Sequence, residues 1–148
     1  MPEEETLERA REDERQGKSP STQAGEFVRE EFHHIREGKH GARSARQAIA
    51  IGLSKARRAG VKLRPPARGK SSPRVQRQAE RDYEKGQRQP GRRPSPARSR
   101  ATFGALKHEG RQAGSTAAIS RQTRSAAKRR SPAERSTAAR KAARTRQA

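Results

Sequence analysis

The sequence predicts an all-α protein: a small helical hairpin over about residues 22–60, preceded by a charged helix and followed by a long, largely disordered Ala/Arg/Lys-rich tail with nascent helices. Three observations predict it. First, between His40 and Gly60 the residues Ala45, Ala48, Ile49, Gly52, Leu53 and Ala56 recur at i, i+3, i+4, i+7, i+8 and i+11, which is the apolar stripe of one helix. Second, a connection of about six residues, Gly38 to Ser44, ties that stripe to a preceding amphipathic segment, a length that joins antiparallel neighbours. Third, only 27% of the 148 residues are hydrophobic while 36% are charged. A chain of that composition cannot offset roughly 1–2 kcal/mol of backbone entropy per ordered residue, so a single core spanning its whole length is excluded.

The chain divides into 1–17, 22–63 and 64–148. Residues 3–16, EEETLERAREDERQ, place acids in the first turn, arginines later and Gly17 as a stop, as a helix dipole favours. Leu7 is the one large apolar residue there, so the segment reads as a solvated helix with nothing to dock. The hairpin follows: Ala24, Val28, Glu31, Phe32 and Ile35 share a side, Phe27 lies at its edge, and Gly38 is the C-terminal cap. Ser44 with Gln47 forms the capping-box start of the second helix and Gly60 its stop. Val61 and Leu63 close the open end, and homodimerisation or ligand binding is one way to complete so small a core.

Beyond Leu63 the composition turns to linker chemistry, then to segments opened by Ser72-Pro73, Ser95-Pro96, Ser115 and the full capping box Ser131-Pro132-Ala133-Glu134. Their apolar residues are mostly Ala, so each can reach helical geometry and bury almost nothing. The Ser-Pro pairs read as helix starts; the alternative is a basic turn lying in an A·T-rich minor groove.

Charge carries the functional signal. The net charge is +21, but residues 1–40 hold 11 acidic and 7 basic side chains, net −4, and residues 41–148 hold 5 acidic and 30 basic, net +25. An acidic arm folded back on a basic remainder would compete with an external polyanion. On the second hairpin helix the cationic face comprises Arg43, Arg46, Lys55, Arg57 and Arg58. In the tail the candidate phosphate contacts are Arg92, Arg93, Arg98 and Arg100, then Arg121, Arg124, Lys128, Arg129 and Arg130, and finally Arg140, Lys141 and Arg144. Ile51 is the misfit, a large apolar residue about 200° from Ile49 on the polar face, and it reads as a self-association or partner contact.

Catalytic and metal constellations are not expected. His33 and His34 are adjacent and point about 100° apart on a helix, so they cannot share an ion without a second element, and they read as solvated, with His40 and His108 the remaining histidines. The Gly86-to-Gly91 spacing has Arg92 and Arg93 where a phosphate loop needs Lys-Ser/Thr. No cofactor, metal, membrane or small-molecule substrate is predicted. The absence of Cys, the acidic N-terminus and the lack of a long apolar run point to a cytoplasmic protein.

The string GEFVREEFHHIREGKHGARSARQAIAIGLSKARRAG resembles a family of small basic bacterial proteins of unassigned function, marked by a Gly-Lys segment and then Arg-Ser-x-x-Gln-Ala-Ile-Ala-Ile-Gly-Leu-Ser-x-Ala-Arg-x-Ala-Gly. The likeness covers about residues 1–65 and is most specific over 38–60; it implies a bacterial origin and supplies no catalytic residue. The tail is similar in composition alone to linker-histone and histone-like basic tails. The expected function is non-enzymatic, weakly sequence-specific, nucleoid-associated nucleic-acid binding, with DNA favoured over RNA. The rivals are an RNA- or ribosome-associated protein and a protein-partner module, toxin-antitoxin-like or scaffolding, that uses the hairpin.

Overall fold

A computed structural model describes residues 1–147, so Ala148 of the expected tail lies outside the described residues. The elements in order are α1 (Glu4–Arg15), α2 (Pro20–Glu37), α3 (Ala45–Arg58), α4 (Pro73–Arg88), α5 (Pro96–Lys107), a 3₁₀ turn (Gln112–Gly114), α6 (Thr116–Lys128) and α7 (Pro132–Gln147). The all-α class stands: there is no strand among the described residues.

The hairpin is α2 against α3. Ser19 caps α2, with Pro20 at the first helical position, and Gly38 ends it with φ +78°, a left-handed conformation open to glycine at no steric cost. Ser44 Oγ accepts from Gln47 N at 3.1 Å, while Gln47 Oε1 reaches back to Arg43 N at 2.6 Å, one residue before the usual capping-box partner. Two apolar clusters form along the seam. Phe32, Ile35, Ala42, Ala45 and Ala48 make one, with Val28 and Ile49 packed on it; Ala24, Phe27, Ala56 and Val61 make the other, with Leu53 and Leu63. Phe27, expected at the edge, lies at the centre, 1% exposed. The helices cross at Gly52, where an added Cβ would stand 2.7 Å from Val28 Cα. Leucine or isoleucine at that position would hold the two backbones apart.

The structure corrects two expectations. The N-terminal helix is not solvated all round: Ala10 is buried in the second cluster, Leu7 packs on it and Thr6 is 1% exposed. Small residues, not an apolar stripe, make its contact face, and Arg9 Nε adds a 2.8 Å ion pair to Glu26 of α2. Nor is the tail largely disordered; it carries four α-helices to Gln147. Their local starts are real, with Ser72, Ser95 and Ser115 each accepting from the backbone N–H three residues on. Ser131 and Glu134 bond reciprocally, Glu134 N to Ser131 Oγ at 3.2 Å and Ser131 N to Glu134 Oε2 at 2.7 Å. The capping reading of the Ser-Pro pairs therefore holds. Yet α5, α6 and α7 bury no residue of their own, as Ala-rich segments should not. The tail is anchored by α4, which lays Ala79, Asp82 and Gly86 on α3, and by the 3₁₀ turn, whose Ala113 enters the first cluster.

Candidate nucleic-acid interface

The cations of α3 are mostly spent inside the fold. Arg57 is 7% exposed and donates Nε to Leu63 O at 3.1 Å, and burial pushes its guanidinium below the ordinary arginine value against the opposing charge of Asp82. Arg58 Nε lies 3.5 Å from Asp82 Oδ1, and Ser54 Oγ donates to the other oxygen of that carboxylate at 2.6 Å. Lys55 is clamped on Glu31 and lies 3.6 Å from Glu30. Lys55 ties α3 to α2 and Arg58 ties it to α4, and only Arg43 and Arg46 of the expected cationic face stand in solvent. Ile51, three residues before Ser54 and seven before Arg58, lies on the stripe that meets α4 and is half-buried. An intrachain helix thus covers the face assigned to a partner. With α2 on one side and α4 on the other, α3 leaves only a narrow strip through Arg46 and Ala50 in solvent.

The tail is different. From Ser95 onward the chain has 14 basic and 2 acidic residues, net +12. Among the described residues, none of the basic side chains of this stretch has a carboxylate within 4.0 Å; its two acids pair instead with Arg43 and Lys70. Arg111 is structural, since Nε donates to Ile35 O at 3.2 Å and the guanidinium also reaches Arg36 O. Arg92, Arg93, Arg98, Arg100, Arg129, Arg130, Arg140, Lys141 and Arg144 are all exposed. Arg121, Arg124 and Lys128 fall at i, i+3 and i+7 of α6 and line an open groove with Ser125 and Arg129. They span about 10 Å of helix, the axial rise of about three phosphates on one strand.

The carboxylates of the acidic N-terminal third do not pair with this surface, although Lys141 Nζ of α7 donates to Ser21 Oγ at 3.4 Å. These carboxylates pair within α1 and α2 or with the hairpin's own cations, as Glu14 does with Lys62 at 3.8 Å, and no ion pair among the described residues joins residues 1–40 to the tail. Aromatic stacking has little to work with: among the described residues Phe103 is the one exposed Phe or Tyr ring, and Lys107 Nζ sits 4.9 Å over it.

The histidines split. His33 is exposed and pairs with Glu37 at 2.9 Å, as a solvated helix residue should. His34 and His40 are buried, against expectation, and the linker supplies the second element that the adjacent pair lacked: it returns His40 beside His34, rings 5.8 Å apart and nearly perpendicular, with Glu31 next to both. A Glu-x-x-His spacing on α2, Glu31 to His34, was the available sequence signal.

Residues 15–68 match the model of a family of unknown function, DUF6496. No curated protein and no solved structure matches the chain. The matched span covers α2, α3 and their connection and stops before α4, so the hairpin carries the family likeness and the cationic helices lie outside it. No helix among the described residues is long and apolar enough to cross a membrane.

Proposed function

We propose that this chain is a non-enzymatic, weakly sequence-specific DNA-binding protein that works by phosphate neutralisation, in a bacterial, cytoplasmic and nucleoid-associated setting. The single observation that supports the reading most is the separation of charge: carboxylates are consumed in pairs around the hairpin, while among the described residues the exposed cations of α5, α6 and α7 have no carboxylate partner. Thirteen uncompensated basic side chains, the 14 after Ser95 less Arg111, repel one another and are stabilised by an external polyanion. The hairpin is then the scaffold and the later helices the binding surface. Contacts of this kind go to the backbone and carry no base readout, which accounts for the weak sequence preference. A duplex is favoured over a single strand because the surface has cations in rows and almost no ring to stack on a base.

Titrating B-form duplex, A-form duplex and single strand side by side in equal salt tests this. Tightest binding to the B-form duplex, insensitive to its sequence, is the expected result. Preference for the A-form duplex or the single strand would move the target to RNA, and failure to bind any of the three would remove the reading.

A further inference from the structure

We propose that Glu31, His34 and His40 supply three ligands of a buried site for a divalent transition metal of the zinc type, its fourth position taken by water, and that the ion staples the α2–α3 connection to the body of α2. One ligand atom from each of the three residues lies within 4.8 Å of the others. In a tetrahedral zinc site with bonds of about 2.0–2.1 Å, neighbouring donors stand about 3.3 Å apart, so a pair at the outer limit has to close by about 1.5 Å. All three side chains are already out of solvent, at 1%, 9% and 6% exposure respectively.

The hydrogen bonds around the cluster point the same way. His40 Nδ1 lies 3.0 Å from the carbonyl oxygen of Gly41. A carbonyl can only accept, so Nδ1 carries a proton and, in the neutral tautomer that ligates a metal, Nε2 presents a lone pair. That lone pair faces Glu31 Oε2 at 3.4 Å. Two acceptors facing each other in a buried place need a cation between them. His34 is oriented in the matching way: its Nε2 is 2.9 Å from Glu3 Oε1, a carboxylate oxygen that also accepts from Lys39 Nζ at 2.9 Å, so Nε2–H donates and the other ring nitrogen is left with a lone pair. A ligating histidine whose second N–H is fixed by a carbonyl or a carboxylate is the arrangement that sets tautomer and ring direction at metal sites.

The charge count agrees. Glu30 and Glu31 are both 1% exposed and face the ammonium of Lys55, with the amino group of Met1 also near, and Glu30 Oε1 has no hydrogen-bond partner. A buried carboxylate without its full complement of charge is costly, and a dication on Glu31 releases Lys55 to serve Glu30. Glu31, His34 and His40 are all buried, which suits a structural role for the metal. It joins the connection, α2 and, through Glu3, the N-terminal arm, with Phe103 of α5 against the outer edge of His40, ring centroids 6.4 Å apart.

The test is a titration of the untagged full-length chain with Co²⁺, whose visible absorption reports tetrahedral nitrogen and oxygen ligation. One equivalent of Co²⁺ should bind with a tetrahedral band, Zn²⁺ should displace it, and either metal should raise the thermal midpoint. His40→Gln and Glu31→Gln should each weaken binding by at least about 10–100-fold, the loss that removing even a supporting partner produces, whereas His33→Gln and His108→Gln should leave it unchanged. Absence of a band and of any thermal shift in the wild-type chain would overturn the proposal, and the cation between His40 and Glu31 would then be a proton. Equal loss in the His33→Gln variant would overturn it as well, by placing the ion on the surface of α2.

Discussion

Gly52→Ala and Gly25→Ala are the same chemical change in neighbouring helices, and the structure predicts opposite signs. Alanine in a helix interior is favoured over glycine by about 0.8–1.0 kcal/mol. At Gly25 an added Cβ meets nothing within 4 Å, so that gain is realised. At Gly52 the Cβ would stand 2.7 Å from Val28 Cα and 2.9 Å from Val28 N and Cγ2. Carbon atoms rest at about 3.5–4.0 Å, so α2 and α3 must part by about 1 Å, and backbone atoms cannot swing aside as a side-chain end can. Forcing apart a packed seam costs about 1–3 kcal/mol, which leaves Gly52→Ala net destabilised by about 1 kcal/mol and the two variants separated by about 2. For a chain of this length about 1 kcal/mol moves the thermal midpoint by about 2–4 °C, so melts followed by far-UV circular dichroism resolve the pair. If Gly52→Ala rises as Gly25→Ala does, the close crossing is refuted, and with it the packing that buries Phe27 and Ile35.

Other outcomes follow from the same structure. Asp82→Asn leaves Arg58 without its buried counter-charge and should cost about 1–3 kcal/mol in denaturant unfolding, with no change in the salt dependence of DNA binding, because the α3 cations face inward. Replacing Arg121, Arg124 and Lys128 together by Gln should do the reverse, flattening the slope of log K against log salt by about 2.7 while the melt is unaltered. Deleting residues 131–148 removes five basic and one acidic side chain and no buried residue, so it should lower the slope by up to about 4 and leave stability unchanged. Glu3, held down to about 2 by Lys39 and His34, is a depressed carboxylate, so its stabilisation is present above the ordinary value near 4.5 and lost as pH falls through about 2. Glu3→Gln should remove that part of the acid-side decline in thermal midpoint.

The hairpin was legible because its signals are local and consistent. Ser44, Gly38 and Gly60 punctuate it, and the stripe from Ala45 to Ala56 allows one helix phase only. What escaped is contact made by small or charged groups, which hydrophobic periodicity does not register. α1 docks through Thr6 and Ala10, and α4 through Ala79, Asp82 and Gly86, so both read as solvated. The cationic face of α3 was read from sequence without the carboxylates that cover it: Lys55 answers to Glu31, and Arg58 to Asp82, 24 residues further on. Ile51 was a misfit for a two-helix module and fits one with α4 added. The histidine cluster needed the fold of the connection, since nothing in the chain says that residue 40 returns to residue 34. The caps at Ser72, Ser95, Ser115 and Ser131 were read correctly, yet composition argued against ordered helices behind them. An Ala/Arg segment with a satisfied first turn can be helical without burying anything.

Affinity of the full-length chain for a random-sequence B-form duplex, measured across a series of salt concentrations, tests most directly whether free cations on the later helices make the binding surface. If six to ten phosphates are neutralised, log K against log salt should be linear with a slope of about −5 to −9. A slope near −1, or affinity that follows base sequence and ignores salt, would contradict it.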